Sequence, residues 1–171
     1  MIKMNPMRNI KVEKITLNIG AGTNTAKLDK GLKLIKNITG KAPVKTFTTK
    51  RIPSWGLRPG LPIGCKLTLR KKAAVELLTR LLQAKENKLN DRQFDSSGNL
   101  AFGIHEYIDI PGVKYDPAIG IMGLEVCVTL ERAGFRVKRR AVKASLISKK
   151  HVVSKKDAIE YFQKNFNVVV S

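Results

Sequence analysis

The amino-acid sequence predicts an α+β fold: a mainly antiparallel sheet with helices packed on one face and the other face left open. Several short stretches alternate apolar and polar residues with period two, the mark of strands with one wet face. Only two or three helical patterns separate those strands, too few for the regular strand–helix alternation of a parallel sheet. At 171 residues, 43% hydrophobic and 27% charged, the chain has the composition of a globular protein. One domain over 1–171 is expected, with no repeat, low-complexity tract or linker to divide it.

Val12 to Gly20 reads as the first strand, with Ile15, Leu17 and Ile19 alternating against Lys14, Thr16 and Asn18. After Gly20-Ala21-Gly22 a helix starts near Thr25, carries Leu28, Leu32, Ile35 and Ile38 on one stripe, and ends at Gly40. Its outer face is Lys30, Lys33 and Lys36. Lys41 to Lys50 is the second strand. Ile63 to Arg70 is the third, setting Ile63, Cys65, Leu67 and Leu69 against Gly64, Lys66, Thr68 and Arg70. From about Lys71 to Ala84 a second helix places Ala74, Leu77, Leu78, Leu81 and Leu82 at helical spacing. Leu100–Ile110 and Leu124–Glu131 read as further strands, and Phe135–Val142 as another. Ser154 with Asp157 three residues on is a capping-box variant that opens a last helix, whose Ile159, Phe162 and Phe166 face inward.

The formal net charge of +20 is concentrated in two blocks. Lys30 to Val75 holds twelve cations and no acid, and Arg132 to Lys156 holds ten more with none. Between them, Glu86 to Glu131 carries eight acids against three cations. Such blocks repel themselves unless a polyanion neutralises them, so a nucleic acid is the expected partner. The open strand faces would then present Lys14, Thr16, Asn18, Lys66, Thr68 and Arg70: cations for phosphates, and short donors and acceptors for sugar hydroxyls and base edges.

Gly20-Ala21-Gly22 beside a helix start has the look of a phosphate-cradling turn, or the glycines serve the turn alone. It is neither a dinucleotide fingerprint, since Thr25 stands where a third glycine belongs, nor a P-loop. A long loop at 49–64 contains Arg51, Arg58 and the only tryptophan, Trp55, which is either a stacking probe for RNA or an anchor for its own loop.

Cys65 and Cys127 form no CxxC pair, which points to a reducing compartment, the cytoplasm, and to no zinc. His105 and His151 are single and no nucleophile–base set is evident, so neither an enzyme nor a cofactor is expected. Asp91 with Asp95, and Asp109 with Asp116, read as solvated acids rather than metal ligands. The start, Met1 to Ile10, has Lys3, Pro6 and Arg8 and no apolar core of a leader; no stretch suits a membrane. Two other classes remain open at this point: a nucleotide-dependent enzyme built on the glycine turn, and a nucleic-acid chaperone that binds many RNAs alike.

Pro62-Ile63-Gly64-Cys65-Lys66-Leu67-Thr68-Leu69-Arg70, preceded by Arg58-Pro59-Gly60, resembles the universal fifth protein family of the large ribosomal subunit, which binds 5S ribosomal RNA. Lys14 to Gly22, Phe94 to Asn99 and Gly123 to Val126 are similar to the same family in order and spacing. The segment from Arg132 to Val153 departs from the bacterial pattern and resembles the archaeal and eukaryotic branch. The resemblance implies a non-enzymatic protein of the central protuberance that grips 5S RNA through Asn18, Gly20, Gly22, Lys66, Thr68 and Arg70 and joins it to large-subunit rRNA, beside other central-protuberance proteins. In the basic 132–156 segment, Arg136, Lys138, Arg139 and Arg140 are the expected rRNA contacts. It further implies that Arg51, Trp55 and Arg58 reach peptidyl-site tRNA. Regions similar to Asn87–Phe94 and Ile110–Gly123, with Asp91, Arg92 and Asp116, would bridge to a basic small-subunit protein. Those regions lie in the net-acidic stretch, as a surface facing a cationic protein should.

Overall fold

Alternation of apolar and polar residues builds a five-stranded antiparallel sheet of order β2-β3-β1-β6-β5: β1 (Ile10–Gly20), β2 (Val44–Phe47), β3 (Pro62–Arg70), β5 (Leu100–Ile104) and β6 (Leu124–Arg132). A parallel pair of two-residue strands, β4 (Lys88–Leu89) and β7 (Val169–Val170), ties in the C-terminal end. The structure, a computed structural model, describes residues 5–171, so Met1–Met4, including the Lys3 of the N-terminal reading, lie outside the described residues.

The inward residues of the sheet, among them Ile15, Leu17, Ile19, Cys65, Leu67, Leu69, Val126 and Val128, are buried against α1 (Thr25–Thr39) and α2 (Lys72–Gln83). Asn24 caps α1 by accepting from the Lys27 amide, and Gly40 ends it at φ 68°. The stripe of α1 is turned slightly from the predicted one: Gly31 and Leu34 are buried, while Leu32 is only half-buried. Gly31 lets the helix approach the sheet, since a Cβ there would lie 3.1 Å from Cys65 Sγ. In α2 the predicted five residues are the buried ones. The capping box of Ser154 and Asp157 opens α4 (Lys155–Phe166), which sends Ala158 and Phe162 into the core, with Ile159 and Phe166 partly buried.

Three predicted strands differ. The second covers only Val44–Phe47, because Pro43 offers no amide and the register slips between Thr46 and Phe47. The Leu100–Ile110 strand stops at Ile104, where its partner β6 begins; a 3-10 turn at Tyr107–Asp109 follows. Phe135–Val142 is no strand but leads into a one-turn helix, α3 (Arg136–Arg139). A strand there could not form a hairpin with β6, because β6 already has β1 on one side and β5 on the other.

Candidate nucleic-acid interface

Antiparallel register puts the predicted face residues in rungs. Lys14 stands opposite Arg70, Thr16 opposite Thr68, and Asn18 opposite Lys66, while β6 adds Thr129, Cys127 and Glu125 on the same rungs. Lys66, Thr68 and Arg70 are exposed; Lys14, Thr16 and Asn18 are half-buried. The Thr16 and Thr68 hydroxyls lie 3.4 Å apart. Thus all six residues read from the alternation share one face, and α1 and α2 cover the other.

Sequence reading missed three acids on this face: Glu125, Glu13, and Glu131, which pairs with Lys11 at 3.4 Å. Glu125, counted with the acidic stretch, accepts a 3.2 Å hydrogen bond from the Asn18 amide nitrogen, leaving the Asn18 oxygen as the free acceptor. Glu13 is the extra residue of a bulge between Val12 and Lys14. Its carboxylate is buried and receives Arg70 Nη1 at 2.7 Å, Arg139 Nη2 at 2.6 Å, and Arg139 Nη1. The bulge had one legible signal: Val12 and Ile15, both inward, are three residues apart where a regular strand requires an even spacing.

Through Arg139 the basic segment folds over the Thr129 end of the sheet. Phe135, Lys138, Arg139 and Val153 border a small cleft there with Thr129, and Arg139 and Lys138 lie 5.2 and 5.6 Å from the Phe135 ring centre. Arg136, Lys138 and Arg140 point to solvent. Arg140 donates to the Lys143 carbonyl at 2.7 Å. The Asn18–Lys66 end of the face stays open.

The glycine turn is built differently from a phosphate cradle. The amides of Ala21 and Gly22 both donate to the Ile63 carbonyl, at 2.8 and 3.0 Å, so they hold β1 to β3 rather than an anion. Gly20 and Gly22 are exposed, and a Cβ at either would meet nothing; Gly22 is needed for its φ of 60°. Gly64, opposite Gly20, is the constrained one: a Cβ would lie 2.7 Å from the Ile19 carbonyl oxygen.

The 49–64 loop carries its own framework. Buried Thr48 closes its base, donating from its amide to Leu61 and from its hydroxyl to Arg58, and accepting from Gly60. Near the tip, Ile52 and Leu57 exchange two 3.0 Å backbone bonds. Arg51 and Arg58 flank that rung, and Trp55, 69% exposed, tops it. A tryptophan so exposed does not anchor its loop.

The three residues expected at a bridge make separate contacts. Asp91 is paired with Lys155 Nζ at 2.6 Å and Arg92 is exposed, whereas Asp116 folds back to cap its own turn at the Ala118 amide. Buried Tyr107 fixes that loop by accepting the Asp116 amide at 2.9 Å. No hydrogen bond or ion pair among the described residues joins Asp91 or Arg92 to Asp116. Among the described residues there is also no cluster able to hold a metal ion, and no helix is long and apolar enough to cross a membrane.

Residues 5–58 match the family described as ribosomal protein L5, and residues 62–163 match the model of that ribosomal family's C-terminus. The chain is 48% identical over 166 residues to the large ribosomal subunit protein uL5 of Nanoarchaeum equitans, covering 96% of this chain and 98% of that protein. It is 46% identical over 168 residues to uL5 of Sulfurisphaera tokodaii, covering 98% and 95%. With uL5 of Pyrobaculum aerophilum it shares 45% over 170 residues, covering 99% and 95%. These relatives are archaeal, in line with the branch that the 132–153 segment resembles. Matched in both halves and over nearly its whole length, the chain belongs to the ribosomal protein L5 family, a family of structural proteins of the large ribosomal subunit.

Proposed function

We propose that this protein, acting as one domain, binds 5S rRNA through the open face of its sheet and attaches it to large-subunit rRNA at the central protuberance. The observation that carries this reading is the pair of rungs Thr16–Thr68 and Asn18–Lys66, which lie uncovered and put a cation, hydroxyls and an amide oxygen side by side on a rigid sheet. Charge supplies affinity, and the fixed spacing of short polar groups supplies preference for one folded RNA. A second basic surface supports the attachment to a second RNA: Lys30, Lys33 and Lys36 are exposed on α1, on the far side of the sheet from those rungs.

The exposed Trp55 between Arg51 and Arg58 suits a stacking contact with peptidyl-site tRNA. Around the 105–123 loop, Glu106, Asp109 and Asp116 accompany exposed Ile108, Tyr115 and Ile121, a composition suited to a basic small-subunit protein across the subunit interface. Filter binding of the purified protein to 5S RNA and to a same-length control transcript tests the central claim. Tighter binding to 5S RNA by tenfold or more is expected; equal binding would replace this reading with that of an unselective RNA chaperone.

A further inference from the structure

Glu13 is a charged side chain at 3% exposure on a surface where cations predominate, and it is the most deeply buried of the acids there. A carboxylate facing RNA opposes phosphate binding, so its presence there requires a compensating role. Its contacts supply one. Arg70 comes from the sheet and Arg139 from the basic segment, 69 positions apart in the chain, and both meet at the Glu13 oxygens. Arg139 spends both terminal nitrogens on the carboxylate, a two-pronged geometry that fixes the plane of its guanidinium. Arg70 spends one and keeps its other donors free. Both side chains stay about half exposed, at 53% and 45%. Lys14 lies beside them, and Glu131 approaches Arg139 Nη1 at 3.8 Å while pairing with Lys11, so the cluster holds four cations to two acids and remains net positive.

We propose that Glu13 is a positioning residue for RNA: it locks Arg70 and Arg139 into one fixed pair whose exposed edges receive a phosphodiester segment, joining the sheet and the basic segment into a single binding surface. Free arginines of this length would each lose rotamer freedom on meeting a phosphate; here that ordering is completed during folding. The bulge is the sequence device that makes this possible, because it inserts an acid beside Lys14 without reversing the alternation of the rest of β1.

The inference rests on the reading that the protein selects 5S RNA, and the test separates the two. Glu13→Gln raises the net charge by one, so charge alone requires tighter binding to every RNA. Positioning requires the opposite for the selected RNA: a five- to tenfold loss with 5S RNA, and an unchanged or improved affinity for the control transcript. Arg139→Lys guards against a folding defect, because it keeps both the charge and an ion pair to Glu13 but loses the planar fork. It should fold, by circular dichroism, and lose 5S affinity to a similar degree. If both variants bind 5S RNA as tightly as wild type or tighter, positioning by Glu13 is overturned while 5S selection stands. Should wild type itself fail to discriminate, the 5S reading fails and this inference falls with it.

Discussion

The Glu13 carboxyl is held at about 2, against an ordinary 4.5, by the guanidinium of Arg139 first; burial works against this, and Arg70 and Lys14 reinforce it. A carboxyl whose folded value lies below its unfolded one stabilises the protein fully above the unfolded value. That stabilisation disappears as pH falls from about 4.5 toward 2. A shift of this size corresponds to about 3 kcal/mol. Urea midpoints measured across that window for wild type and Glu13→Gln should therefore converge as pH falls, because the variant has nothing to titrate there. Other depressed carboxyls, such as Asp157 at the α4 cap, titrate in both proteins and cancel in the difference. Parallel curves would show that the two arginines do not stabilise the charged form in the fold. None of this was legible from charge counting, which placed Arg70 and Arg139 in acid-free blocks; their acid lies outside both blocks in sequence and reaches them only through tertiary contact.

Elements set by local chemistry were legible in the sequence: α1 starts at Thr25 and ends at Gly40, α4 opens on the Ser154 cap, and the stripe of α2 follows its spacing. Elements set by distant partners were not. Whether Phe135–Val142 could pair with β6 depended on which strands flank it, and the end of β2 on where its register with β3 slips. The loop at 49–64 is an intermediate case, since its exposed tip could be read from composition but its closure by Thr48 could not. Because that closure is internal, the tip and the sheet face act as separate elements. Thr68→Ala with Arg70→Ala should weaken 5S binding by ten- to a hundredfold, removing one rung partner and one cation. Trp55→Ala should leave 5S binding within twofold and weaken only large subunits charged with tRNA, measured as tRNA retention on salt-washed ribosomes. Equal loss of 5S binding in both would make the loop part of the same surface.

Across the whole molecule the two basic blocks do not form one patch. The first is divided between α1 and the open face, on opposite sides of the sheet, and the second wraps the Thr129 end. The acidic stretch is divided too: Glu125 and Glu131 lie on β6 among the cations, Glu131 near Lys11 at 3.4 Å, while Glu106, Asp109 and Asp116 remain apart from them. A net charge of +20 therefore overstates what any one RNA meets. If 5S RNA engages only the open face and the adjoining arm, about six phosphates are neutralised, and log affinity against log salt should fall with a slope of roughly −4 to −5. A slope steeper by about half, roughly −6 to −8, would mean that the three lysines of α1 also bind the same RNA, and a flat one that phosphates are hardly contacted. Substituting Lys30, Lys33 and Lys36 together by Gln distinguishes these further. With α1 facing a second RNA, the slope for 5S RNA stays where it was, because the deleted charges lie across the sheet from the phosphates being counted.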